Sequence, residues 1–196
     1  MWRATDLLAY LATGGLVMLP LVLVSLMLWT LIFERLLLFR RLERGDPPLA
    51  ELVRCWRAGL PLPPAAGLRS QLVRVLQAEV ALPSALNRRL LDACALRLQA
   101  AIDRNLDQIR VLAAVAPLLG LLGTVTGMMA TFDAIALFGS GNVRALAGGI
   151  SEALITTQGG LLVSIPGVLA SAVLSLRARR LQERLEETLV LFKRMV

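Results

Sequence analysis

The sequence predicts an all-α membrane protein with three transmembrane helices, its N-terminus outside and its C-terminus inside, whose second and third helices extend into a cytoplasmic helical bundle. Three observations predict this. The 196-residue chain is 57% hydrophobic but only 5% aromatic, too apolar for an ordinary soluble domain of that length. Three charge-free runs, Leu7 to Phe33, Val111 to Phe132 and Ala153 to Leu176, hold 27, 22 and 24 residues, and about 20 suffice to cross a hydrocarbon core. Of the 21 basic residues, 13 lie between Arg35 and Arg110 and six between Arg177 and Arg194, which is the positive-inside pattern.

That distribution also accounts for the formal charge of +7, so no nucleic-acid partner is expected. The first run has only Arg3 as a basic flank and continues to Glu34 and Arg35, which suits a span better than a cleaved signal peptide. The chain has no histidine, which removes Ser-His-Asp and Cys-His catalysis and the commonest metal ligand. Cys55 and Cys94 both fall in the expected cytoplasmic segment, where thiols stay reduced. No enzyme activity, cofactor or metal is expected. The whole chain, 1–196, reads as a single domain. Its parts are a first span at about 10–34, a cytoplasmic insert at about 35–110 and a second span at about 111–137. An outer loop at about 138–149, a third span at about 150–176 and a C-terminal helix at about 177–196 complete it.

The first span carries Gly14, Gly15 and Pro20 in its outer half and ends near Trp29 and Phe33, rings suited to an interfacial belt. Pro20 bends this helix or sits in its first turns. Glu34 beside Arg35 reads as an interfacial ion pair. The section RGDPPLAELVRCWRAGLPLPPAAG holds five of the nine prolines and reads as short helix, turn and loop. A helix from about Arg69 to Leu82 precedes Pro83, and Ser84 supplies the N-cap signal for the next. From Ser84 nothing in the sequence interrupts a helix before Pro117, and Leu91, Leu98, Ile102, Leu106 and Ile109 share one face. Continued to Phe132, that helix would be about 70 Å long. The third span continues past Leu176 into RARRLQERLEETLVLFKRMV, with Leu181, Leu185, Leu189 and Phe192 as a stripe. Arg179 and Glu183 add an i,i+4 pair. These two long helices are expected to pair with each other and with neighbours.

The membrane runs are polar in a periodic way. In the second span, Gly120, Gly123 and Gly127 predict close helix packing. Thr124 and Thr131 lie seven residues apart on one face with Pro117, Gly120 and Gly127. In the third, Thr157, Gly160, Ser164, Ser171 and Ser175 return to a narrow sector at 3.6 residues per turn. Such a stripe serves either helix packing or the lining of a hydrated path. Glu152, at the outer end of that span, lies about 140° around the helix from Thr157. An ionised carboxylate at mid-bilayer costs roughly 2.5–3.5 kcal/mol and less near an interface, so its position alone leaves an interfacial role and a pore role open.

The stretches APLLGLLGTVTGMMATF and GGISEALITTQGGLLVSIPGVL resemble the MotA/TolQ/ExbB proton-channel family, in its ExbB/TolQ branch, across about residues 113–176. The resemblance implies three spans, a pentameric ring, and a pore formed by the second and third helices around two copies of an ExbD- or TolR-like single-span partner. That partner's membrane aspartate would carry the proton and energise a TonB- or TolA-like protein of the bacterial inner membrane. Carried over by motif, Thr124, Glu152 and Thr157 are the pore positions, with Thr131 and Ser164 beside them. Gln158 and Gly159 stand where small apolar residues are frequent in the family, which leaves open which energiser is served. The four-span MotA branch fits poorly. The alternative readings are a non-conducting scaffold that holds partner helices and a proton-coupled exporter, which would call for an internal repeat.

Overall fold

A computed structural model describes residues 13–44, 46–58, 60, 67–78, 84–139 and 142–195. Every regular element among them is an α-helix: α1 Met18–Glu43, α2 Leu49–Arg57, α3 Leu68–Ala78, α4 Ser84–Asp103, α5 Leu106–Phe138 and α6 Val143–Met195. Three helical stretches, Met18–Glu43, Leu86–Phe138 and Leu146–Met195, are long and apolar enough to cross a membrane.

Each boundary has a local cause. Before α1 the chain turns at Gly15 with φ +65°, a conformation open to glycine at little cost. Pro20 then sits in the first turn of α1, where its missing N–H breaks no helical bond. α2 follows the Pro47–Pro48 pair, with Glu51 in its first turn and Arg54 and Arg57 in its last, charges that suit the helix dipole. The start of α3 is capped from a distance: the Arg69 N–H donates to Asp46 Oδ1 at 2.9 Å. Gly67 makes that approach feasible, since a Cβ there would lie 2.7 Å from Asp46 Cα. The expected continuation of α3 to Leu82 lies outside the described residues.

The uninterrupted helix from Ser84 to Phe132 is corrected. α4 ends at Asp103 and α5 begins at Leu106, separated by a turn in which Asn105 takes φ +62°. Asparagine tolerates this left-handed region better than most residues, and that tolerance was the only sequence trace of the break. The carbonyl of Ala101, in the last turn of α4 where helical donors run out, accepts a hydrogen bond from Arg35 Nη1 at 2.8 Å.

The chain divides into two compact units, one holding the segment up to Ile32 and Gln108–Ser171, the other Phe33–Asp107 and the segment from Ala172. In the first, Met18 and Leu21 of α1 pack with Ala116, flanked by Val24, Leu119, Ile155 and Val163. In the second, the predicted stripes form the core: Leu91 and Ile102 of α4 and Leu181, Leu185 and Phe192 of α6 are buried. The ring of Trp56 meets Phe192 edge-on at 6.0 Å. Lys193 pairs with Asp92, and Gln182 Nε2 donates to Asp103 Oδ1 at 2.7 Å. The expected Glu34–Arg35 pair is present at 3.3 Å, with Arg35 only 1% exposed. Glu34 offers its second oxygen to Asn105 Nδ2 at 3.3 Å. Pair and helix break thus form one polar cluster.

Candidate functional site

The polar residues of the first unit gather along the contact between α5 and α6. Here the two backbones nearly touch. A Cβ on Gly127 would lie 2.8 Å from both Ala153 N and Gly149 O, and one on Gly160 would lie 2.9 Å from Ala116 O. A Cβ on Gly120 would sit 3.1 Å from the Thr156 carbonyl, and one on Gly123 would collide with the Thr156 side chain. At each of these glycines a single Cβ would meet the facing helix, the geometry that lets helices close up at small residues.

The hydroxyls of this seam are bonded to backbone. Pro117 has no N–H, so the Ala113 carbonyl four residues earlier lacks its helical donor. Ser164 supplies one from the other helix, Oγ to Ala113 O at 2.9 Å. Thr131 Oγ1 donates to Gly127 O at 2.9 Å and lies over Gly149. Ser171 Oγ donates to Val168 O at 2.8 Å. Ser164 and Ser171 of the stripe that periodicity revealed are buried, as is Thr131 on the facing span. Thr156 is the residue that sequence reasoning passed over. It is 1% exposed, and its hydroxyl bonds the Glu152 and Ala153 carbonyls at 3.0 Å each. The signal available was its register with Gly149, Ala153 and Gly160 on one face.

Thr124 and Thr157 stand apart from this buried set. Partners step backward along α6 as α5 advances, so the helices are antiparallel. Taking the seam residues as the centre of each face, Thr124 lies about 65° to one side and Thr157 about 60° in the same rotational sense. On antiparallel helices equal rotations lead to the same edge of the pair. Both threonines are half-buried there, beside exposed Leu121, Met128, Leu154 and Leu161. Thr157 Oγ1 donates to Ala153 O at 3.1 Å and sits 3.5 Å from Gly120 O. Thr124 Oγ1 donates to Leu121 O at 2.6 Å.

Glu152 is turned the other way, about 80° from the seam centre in the opposite sense. Its carboxylate lies over Gly15, where any Cβ would fall on Oε1. Ile155 and Val163, on the same side of α6, pack against the Met18 and Leu21 cluster. Among the described residues α1 therefore covers the Glu152 edge and leaves the threonine edge open. The 140° separation read from the sequence becomes a division between two edges. No group of three or more His, Cys, Asp or Glu among the described residues is placed to hold a metal ion.

Comparison with known proteins gives this arrangement relatives. Residues 65–187 match the family model described as the MotA/TolQ/ExbB proton channel family. The chain is 35% identical over 182 residues to the putative biopolymer transport protein ExbB-like 1 of Synechocystis sp., covering 82% of this chain and 67% of the relative. It is 33% identical over 170 residues to the biopolymer transport protein ExbB of Salmonella typhimurium, covering 78% and 68%. It is 37% identical over 82 residues to the Tol-Pal system protein TolQ of Haemophilus influenzae, covering 42% and 36%.

Proposed function

Because this chain belongs to the MotA/TolQ/ExbB proton channel family, we propose that it is the channel subunit of an ExbB–ExbD- or TolQ–TolR-like motor. It works in a bacterial inner membrane with its N-terminus out and its C-terminus in. It assembles as a homo-oligomer, a pentamer on the family pattern, around an ExbD/TolR-like single-span protein that carries a membrane aspartate. Proton flow through that assembly drives a TonB- or TolA-like transducer. The observation that carries this reading is the open edge bearing Thr124 and Thr157 on the side of the α5–α6 pair away from α1. In a ring, that edge is available to face a central partner helix, and two half-exposed hydroxyls give its lining the polarity a proton path needs. Glu152 acts from behind the pair, where its contact with Gly15 lets its charge tune the path without lining it. Thr131 and Ser164 support the path by holding α5 and α6 together. Each proton crossing the membrane delivers about 2.3 kcal/mol per 100 mV, so a few protons can drive a protein rearrangement.

The bonding of the buried hydroxyls to backbone carbonyls also suits the scaffold reading, in which the ring only holds partner helices. Proton flux into liposomes containing both subunits separates the two. Thr157→Val is expected to abolish flux while the assembly forms, and Ser164→Ala is expected to leave flux largely intact. Full flux with Thr157→Val and Thr124→Val together would sink the channel role of this edge and favour the scaffold.

A further inference from the structure

The second unit presents two outer faces of opposite character, one on α4 and one on α6. On α4 the buried residues Leu91, Ala95 and Ile102 define the inner face. Roughly opposite them at 100° per residue lie Arg89, Leu96 and Arg97, all exposed, Leu96 to 66%. On α6 the inner face is Leu181, Leu185, Thr188 and Phe192. Its opposite face holds exposed Glu183, Glu186 and Val190 along a groove of about 510 Å³. Glu187 beside them is engaged by Arg69 at 2.8 Å. One face is basic around a leucine; the other carries Glu183 and Glu186 around a valine that is 52% exposed, with Arg194 at the end of the same groove.

The faces also match in register. Within the chain, Asp92 meets Lys193 and, eleven residues on, Asp103 meets Gln182, eleven residues back. The two helices therefore run antiparallel without slippage, and each residue of α4 has one level on α6. On that ladder Arg97 falls beside the level of Glu186, Leu96 beside that of Val190, and Arg104 in the turn after α4 beside that of Glu183. Rotation about a common membrane normal keeps every residue at its own depth, so the same levels meet when a neighbouring copy is brought alongside. Because the inner faces of α4 and α6 share one core, their outer faces point away from each other, as a head-to-tail contact requires.

Resting on the homo-oligomer part of the function proposed above, we propose that the Glu183–Glu186–Val190 face of α6 docks onto the Leu96–Arg97–Arg104 face of a second copy of this chain. The contact is heterologous, so it closes a ring instead of a two-fold dimer. Arg89 and Arg194 fall within about two residues of the same level at the far end as a like-charged pair, so Arg194→Glu is expected to tighten the assembly.

The test uses full-length protein in membranes with Cys55 and Cys94, both free thiols, changed to Ser. Leu96→Cys and Val190→Cys in one chain are expected to give a ladder of disulfide-linked multimers on mild oxidation. Chains carrying one cysteine each, co-expressed, are expected to give a linked dimer and no larger species. In detergent, Arg97→Glu is expected to weaken each contact by up to about fivefold, since an exposed pair is worth up to about 1 kcal/mol. Glu186→Arg in the same chain is expected to restore it. A native mass showing intact oligomers with no Leu96–Val190 cross-link would overturn the docking face and leave the oligomer reading standing. Self-linking of Val190→Cys alone would also overturn it, by making the contact two-fold. A monomeric native mass for the unmodified chain would remove both.

Discussion

Both units hold a backbone carbonyl that the helix itself does not satisfy, and each supplies the missing donor from another element by a different chemistry. In the unit built from the apolar ends of the helices, Pro117 strands the Ala113 carbonyl and the neutral Ser164 hydroxyl answers it. In the charge-rich unit, the end of α4 leaves the Ala101 carbonyl to the Arg35 guanidinium, with Glu34 beside it. The difference follows from the surroundings. A hydroxyl is cheap to bury in hydrocarbon whereas a guanidinium there is costly. Where water and counter-charges are near, the charge-assisted bond is the stronger one. Packing divides the same way. Between spans, where lipid is as apolar as leucine, cohesion comes from backbones brought together by glycine. In the second unit it comes from removing Leu and Phe side chains from water.

The contrast breaks most violently at the glycine seam. Gly127→Leu puts a side chain where even a Cβ would lie 2.8 Å from two backbone atoms of α6, and no rotamer relieves a clash with backbone. Loss of folded, extractable protein is the expected result. Gly148→Ala is the matched control: nothing lies within 4 Å of its Cβ position, and alanine in a helix is favoured over glycine by up to about 1 kcal/mol. Equal yields of the two variants would mean that glycine proximity does not hold the spans.

Next in size is Arg35→Met. It removes a charge from a site that is 1% exposed, leaving the Ala101 carbonyl without that donor and Glu34 without its pair. A loss of about 1–3 kcal/mol is expected, read as a lower denaturation midpoint in detergent. Arg35→Lys should recover little of it, because one ammonium does not reproduce the fork that reaches Glu34 and Ala101 together.

A smaller effect sits at Asp46, which caps α3 through the Arg69 N–H. Asp46→Ala should cost about 1 kcal/mol, the usual value of such a cap. Burial raises this carboxyl above its ordinary value, opposed by the backbone N–H groups of Arg69 and Ser70 and by the Arg69 charge. A raised folded-state value means that the native form keeps its proton where the unfolded chain has lost it. The group's contribution is therefore fully present below the unfolded value near ~3.9 and is lost as pH rises through the folded one. Asp46→Asn, which keeps an acceptor without the titration, should flatten the stability profile across that range. An unchanged profile would remove Asp46 from the pH response.

These cases also mark how far the sequence could be read. The spans and the buried stripes were legible, because charge-free length and 3.6-residue periodicity act over many residues. Leu91, Ile102, Leu181, Leu185 and Phe192 are all core. The separation of Glu152 from Thr157 was legible too, since it is an angle fixed by the helix. The break at Arg104–Asn105 was not, because one residue at φ +62° leaves no periodic trace and depends on Arg35 arriving from 66 residues away. Thr156 was hidden for a related reason. Whether a hydroxyl faces a seam or an opening depends on where the neighbouring helix lies, and one helix cannot report that.

The smallest expected effect gives the sharpest version of the comparison. Interhelical hydrogen bonds between membrane spans are worth about 0.6 kcal/mol on average, so Ser164→Ala alone should cost about that much. If the bond exists because Pro117 strands the Ala113 carbonyl, the cost must depend on the proline. In a Pro117→Ala background the restored N–H at residue 117 reaches the same oxygen within α5. Ser164→Ala should then cost nearly nothing. The double-mutant cycle, measured by reversible denaturation in mixed micelles, should show a coupling close to the whole single-mutant effect. Full additivity would mean that Ser164 holds the helices by packing alone. That would erase the parallel with Arg35, where the donor answers a break in the helix it reaches.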